Sequence, residues 1–192
     1  MALKPGDLVF FSGRGWVSSV IQLATYSLPG VGFSHVGIIG RYHDLPVMYE
    51  STSFDRPPCA ISGIEITGVQ AHWLDDVAYE PGKGRLYVCP LKRDLYPHEE
   101  ERLCRLLEMY RGNIRYDMIG AVRSGGFFLR QLLSLVHDES DATLFCSELV
   151  AAVLEETGIW STPNWSKWNP NSLYRALRLK GIISDPILYH ET

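Results

Sequence analysis

The sequence predicts a single α+β domain spanning residues 1–192, on three observations. Roughly the first half carries short strand-forming runs punctuated by turn residues, and the second half carries apolar residues at helical spacing. The third is that 192 residues with 46% apolar content can bury a proper core without disulfides or a metal.

Pro5-Gly6 marks a turn, and Asp7 to Phe11 reads as a short buried strand. After a glycine-bearing loop, Trp16, Val17, Val20, Ile21 and Ala24 give the spacing of a helix over Trp16 to Ser27, ended by Pro29-Gly30. Phe33 to Arg41 and Val47 to Ser51 are rich in strand formers and flank a turn-like Tyr42-His43-Asp44-Leu45-Pro46, which predicts an antiparallel hairpin. Gly63 to Val69 alternates as a strand, His72 to Asp76 reads as a connection, and Arg85 to Leu91 is a strand that Pro90 assigns to an edge or an end.

From Pro97, Glu99, Glu100 and Glu101 load a first helical turn, and Leu103, Leu106, Leu107 and Tyr110 continue the helix to Arg111-Gly112-Asn113. A helical segment to about Val136 follows, interrupted near Gly125-Gly126, then an acidic loop from His137 to Asp141. A helix bearing Cys146 runs to Gly158. Beyond a loop with Trp160, Trp165 and Trp168, Asn169-Pro170-Asn171-Ser172 caps a last helix through about Leu179.

Composition excludes several classes. A net charge of -4 and a pI near 5.8 lack the basic footprint of a nucleic-acid binder. Cys59, Cys89, Cys104 and Cys146 are widely separated, with no CxxC or zinc-finger pairing, and read as four independent thiols. No HxH or HExxH spacing occurs, so neither a metal nor another cofactor is expected. The N-terminus has no apolar run of signal-peptide length, which places the chain in the cytoplasm as translated. No stretch approaches the roughly 18 apolar residues of a spanning helix.

Chemistry concentrates on Leu144-Phe145-Cys146-Ser147-Glu148-Leu149-Val150. Leu149, Val150 and Val153 follow Cys146 by three, four and seven residues, so the sulfur shares their inward-facing stripe, while Glu148, Glu155 and Glu156 face water. With Asp141 and Thr143 as capping residues, Cys146 falls in the first helical turn, where the dipole can favour a thiolate and the Cys146 N–H is free to serve an oxyanion. A cysteine on an apolar stripe is more often a core residue, so a nucleophile needs a base. Of six histidines, His35 alone lies inside a strongly strand-forming run, between Ser34 and Gly37; His72, beside Trp73, is the next candidate. If residues 37 and 50 oppose each other across the hairpin, Glu50 lies diagonal to His35 and within reach. A one-residue slip would send it to the other face.

Pro5-Gly6-Asp7-Leu8-Val9-Phe10, Ser34-His35-Val36-Gly37-Ile38, Tyr49-Glu50-Ser51, Tyr116-Asp117, Phe145-Cys146-Ser147-Glu148-Leu149-Val150 and Asn169-Pro170-Asn171-Ser172-Leu173, in this order, resemble the circularly permuted papain-like NlpC-type hydrolases of the YaeF/YiiX-like group. The resemblance spans nearly the whole chain, and histidine ahead of cysteine is the permuted order. It implies a papain-like α+β fold with a small antiparallel sheet packed on the cysteine helix. It also implies Cys146 as nucleophile, His35 as base and then acid, and Glu50 as the residue that orients the imidazole. Tyr116 and Ser34 are further candidates for oxyanion or substrate contacts. The segment from Met118 to Asp141 is longer than the family pattern.

The expected activity is that of a cysteine peptidase or amidase acting through an acyl-enzyme on a small peptide or cell-wall-type peptide. The alternative is lipid acyl transfer or thioester hydrolysis of the lecithin-retinol acyltransferase type, with Phe127, Phe128, Leu129, Leu132, Leu133 and Leu135 available to line an acyl groove. A non-catalytic binding module is the third class. Oligomeric state is not encoded in any of these features.

Overall fold

The computed structural model describes residues 2–12, 32–52, 57–65, 68–78, 84–113, 139–162, 164 and 167–189. The expected helix over Trp16 to Ser27, the helical segment to Val136, Tyr116 and the proposed acyl-groove residues all lie outside them.

In chain order the elements are β1 (Leu8–Ser12), β2 (His35–Tyr42), β3 (Leu45–Thr52), β4 (Gly68–His72), α1 (Leu74–Ala78), β5 (Arg85–Cys89), α2 (Pro97–Asn113), α3 (Glu139–Glu156), α4 (Pro170–Leu179) and β6 (Ile187–Leu188). The strands form one sheet in the order β4-β3-β2-β1-β5-β6, with every pairing antiparallel. Strands first and helices mostly after them is the α+β arrangement.

β1 is apolar on both faces because both are covered. Leu8 and Phe10 join a core shared with α2, α3 and α4 through Leu103, Leu107, Leu149, Val150, Leu173 and Leu177. Val9 and Phe11 join a smaller cluster closed by Leu74 and Val77 of α1. A strand buried on both sides reads as a continuous hydrophobic run, as Leu-Val-Phe-Phe does.

The hairpin of β2 and β3 turns on two residues, His43 and Asp44, with φ of 45° and 65°. Two successive positive φ values are the signature of a type I′ turn, whose twist suits a tight hairpin; His and Asp are among the residues that tolerate them. The turn locks the register: Tyr42 pairs with Leu45 and Ile38 with Tyr49. One step further, Gly37 opposes Glu50. At Gly40, an added Cβ would sit 2.7 Å from the Tyr49 ring and 2.8 Å from Leu107, so α2 can approach β2 this closely only over glycine.

Two expectations need correction here. The strand placed at Gly63 to Val69 lies instead at Gly68–His72, and the connection expected at His72 to Asp76 contains α1. The alternation of Ile64 and Ile66 was the misleading signal: residues 59–64 turn, with Gly63 at φ 69°, and Ile64 is exposed. Elsewhere, α2 and α4 fall where their patterns put them, and Asn169 and Ser172 form a reciprocal capping box. Among the described residues, no helix is long and apolar enough to cross a membrane.

Candidate active site

Cys146 lies on α3, fully buried with Leu149, Val150 and Val153 on the stripe that packs onto the sheet. The helix begins at Glu139, however, not just before Cys146. Nothing in Glu139-Ser140-Asp141-Ala142-Thr143-Leu144-Phe145 breaks a helix, and Asp141 and Thr143, read as caps, lie inside it. Two consequences follow. Cys146 is beyond the first turn, where the dipole is felt, and its N–H belongs to the helical ladder, so it is not a spare oxyanion donor. Any activation of this thiol would have to come from a side chain.

The side chain beside the thiol is His35, the first residue of β2. Its ring forms a hydrogen bond with the Cys146 side chain. Its Nε2 lies 2.5 Å from Glu50 Oε2, which leaves Nδ1 to the thiol. Phe11, opposite His35 on β1, meets the ring edge-on at 5.3 Å between centroids. Burial disfavours the charged imidazole, but the Cys146 sulfur and the Glu50 carboxylate outweigh it and push the His35 pKa up to about 9. Glu50 itself is wholly buried.

Glu50 reaches His35 because the register puts it on the same face, one diagonal step away. The same logic applies on its other side. Gln70 opposes Glu50 on β4 and Met48 opposes His72, so His72 is diagonal to Glu50 as well. His72 Nδ1 lies 2.9 Å from Glu50 Oε1, in close contact but without the alignment of a hydrogen bond. His72 Nε2 donates to the Pro57 carbonyl at 2.9 Å. The misplaced fourth strand hid this residue: with β4 over Gly68–His72, His72 shares a face with Gln70, beside Glu50.

Asn171 has a role beyond the cap motif in which it occurs. Its Oδ1 accepts from Phe33 N at 2.7 Å and its Nδ2 donates to Phe33 O at 2.8 Å, clamping the backbone two residues ahead of His35. Replacing it with alanine strands both backbone groups. The expected loss is about 2 to 6 kcal/mol, at roughly 1 to 3 kcal/mol per orphaned group, read from urea unfolding. An unchanged midpoint would remove the clamp from the account. Ser34 directs its hydroxyl to the Phe11 carbonyl at 3.3 Å.

Glu148 corrects another expectation: it is 8% exposed, not water-facing, and among the described residues its Oε2 has no hydrogen-bond partner. Burial pushes its pKa from 4.5 up to about 7. For an acid whose folded pKa is raised, the unfolded chain ionises first, so stability falls as pH rises from about 4.5 through 7. At 1.36 kcal/mol per unit the full effect is about 3 kcal/mol. Glu148→Gln is therefore expected to gain stability over the native chain at pH 8 relative to pH 4. Parallel unfolding curves at both pH values would exclude the effect.

No family model matches the chain, and neither does any curated protein. Among solved structures, the crystal structure of the metalloprotein YiiX from Escherichia coli O157:H7 superposes with a TM-score of 0.51, at 18% identity, over 96% of this chain and 88% of that one. The chain shares its fold with YiiX. Among the described residues, no group of three or more His, Cys, Asp and Glu side chains is arranged to hold a metal ion.

The remaining thiols have different settings. Burial pushes Cys89 up to about 12 and raises Cys104. At Cys59 burial acts in the same direction, but the N–H groups of Ala71 and Ser62 outweigh it and lower the pKa below its ordinary value. Cys59 is thus the necessary control in any labelling experiment on Cys146.

Proposed function

We propose that the chain is a cysteine hydrolase that cleaves an amide bond through an acyl-enzyme on Cys146. The observation that carries this reading is the buried relay from Cys146 to His35 to Glu50, with the imidazole held between a thiol and a carboxylate. The histidine strand precedes the cysteine helix, in the order of the permuted papain-like NlpC-type hydrolases, and the YiiX-like fold is compatible with that grouping.

His35 takes the Cys146 proton and the thiolate attacks the substrate carbonyl. The proton then passes from the imidazolium to the leaving amine as the carbon-nitrogen bond breaks. Water, deprotonated by His35, attacks the thioester, and Cys146 leaves as the thiol, closing the cycle. Glu50 keeps the ring oriented and stabilises its charged form.

A panel of dipeptide amides and acyl esters tests the reading. Amide turnover with a mass increment on the Cys146 peptide is expected; turnover of acyl esters alone would transfer the site to lipid acyl transfer or thioester hydrolysis. Absence of turnover and of any adduct would leave a binding module. Because YiiX is described as a metalloprotein, chelation is a useful second arm: this thiol route is expected to survive it, and activity restored only by a divalent cation would overturn the route.

A further inference from the structure

We propose that His72 is a positioning residue for this site, holding Glu50 so that Glu50 in turn holds His35. The inference rests on the relay described above and extends it by one strand. Glu50 on β3 lies between two diagonal histidines, His35 from β2 and His72 from β4, one on each carboxylate oxygen.

Proton bookkeeping sets the role. The Pro57 carbonyl can only accept, so His72 Nε2 carries a hydrogen. Nδ1 is then the nitrogen facing Oε1 at 2.9 Å. The contact lacks hydrogen-bond alignment, so the neutral ring closes off the Oε1 side by occupying it. His72 therefore fixes the Glu50 carboxyl from one side while the Pro57 carbonyl fixes His72 from the other, and Oε2 stays on His35. Rotation of Glu50 is opposed at both oxygens. Both Glu50 and His72 are at most 1% exposed, so water does not compete for these contacts. Among the described residues, the titratable groups facing this row are His35 from β2, His72 from β4 and Cys146 from α3. Gln70 lies opposite Glu50, and α1 covers the neighbouring cluster with Leu74 and Val77 while its Asp75 and Asp76 stay exposed.

Two substitutions separate the halves of the ring. His72→Asn fills the Nδ1 position beside Glu50, whereas His72→Gln reaches the Nε2 position and retains only the Pro57 contact. The readouts are the His35 titration, followed by imidazole NMR, and the pH dependence of Cys146 alkylation by iodoacetamide. Both can be measured whether or not the protein turns over a substrate, so the result stands apart from the proposed activity. In His72→Gln the His35 midpoint is expected to fall by about 1 unit, because a carboxylate no longer held on the ring supports its charge less. In His72→Asn it should stay within about 0.3 unit of the native value. Where turnover is observed, His72→Gln should lower kcat about 10-fold with little change in KM. A His35 midpoint unchanged in His72→Gln, or shifted equally in both variants, would overturn the proposal. If His72→Gln does not fold, His72→Asn decides: a native His35 midpoint supports the role and a displaced one refutes it.

Discussion

His35→Ala is expected to reduce turnover by about 100- to 10,000-fold, the usual range for losing a general acid-base group, while the chain still folds. Cys146→Ser should abolish the covalent intermediate altogether. The fold should survive the histidine change because the ring fills the end of β2 beside Phe11 and does not belong to either apolar cluster. The measurement is kcat/KM on the best amide of the panel, together with mass spectrometry of the Cys146 peptide. The pH profile adds a signature: His35 holds its proton up to about 9, so the alkaline limb, where the leaving amine loses its acid, belongs near that value. Native rates in folded His35→Ala would refute the dyad.

Glu50→Ala is the second large effect, and it falls on stability as well as on rate. The substitution removes a wholly buried carboxylate from between two buried imidazoles, and breaking a buried charged pair typically costs about 3 to 5 kcal/mol. Its pH dependence has a definite sign. His35 is raised from 6.5 to about 9, so its contribution to stability is complete below 6.5 and is lost as pH rises through 9. Without Glu50 one of the two supports for that shift is gone, so the loss on the alkaline side should shrink and be complete at lower pH. Urea unfolding of both chains from pH 6 to 10 checks this. Identical alkaline slopes would mean that Glu50 does not hold the His35 charge.

How much of this was legible in the sequence depends on the range over which each feature is determined. The hairpin could be read locally, from strand formers flanking a short polar turn, and His35 stood out within it. Glu50 was conditional, because alternation alone cannot choose between registers; the positive-φ pair His43-Asp44 makes the choice, and it is a property of backbone angles. The stripe of Cys146, Leu149, Val150 and Val153 was readable from periodicity. The start of α3 was not, since Asp and Thr suit a cap and an early helical turn alike. His72 is a candidate without a place in the sequence, because the alternation that predicts a strand over Gly63 to Val69 stops short of it, whereas β4 runs to His72. Asn171 carries no local signal of its bond to Phe33, which spans 138 residues of sequence. Glu148 was misassigned because helical spacing places a residue around an axis but does not say what covers that side.

The two-residue turn at His43-Asp44 has a consequence for how this chain can vary. His35 and Glu50 are separated by a fixed length of ribbon folded at its middle, and the turn acts as a ruler. Inserting or deleting one residue there would exchange the two covered faces along the returning strand, carrying Glu50 away from His35 and bringing Tyr49 or Ser51 into its place. Homologous chains are therefore expected to accept length changes in their other loops while keeping the fifteen-residue interval between this histidine and this carboxylate invariant.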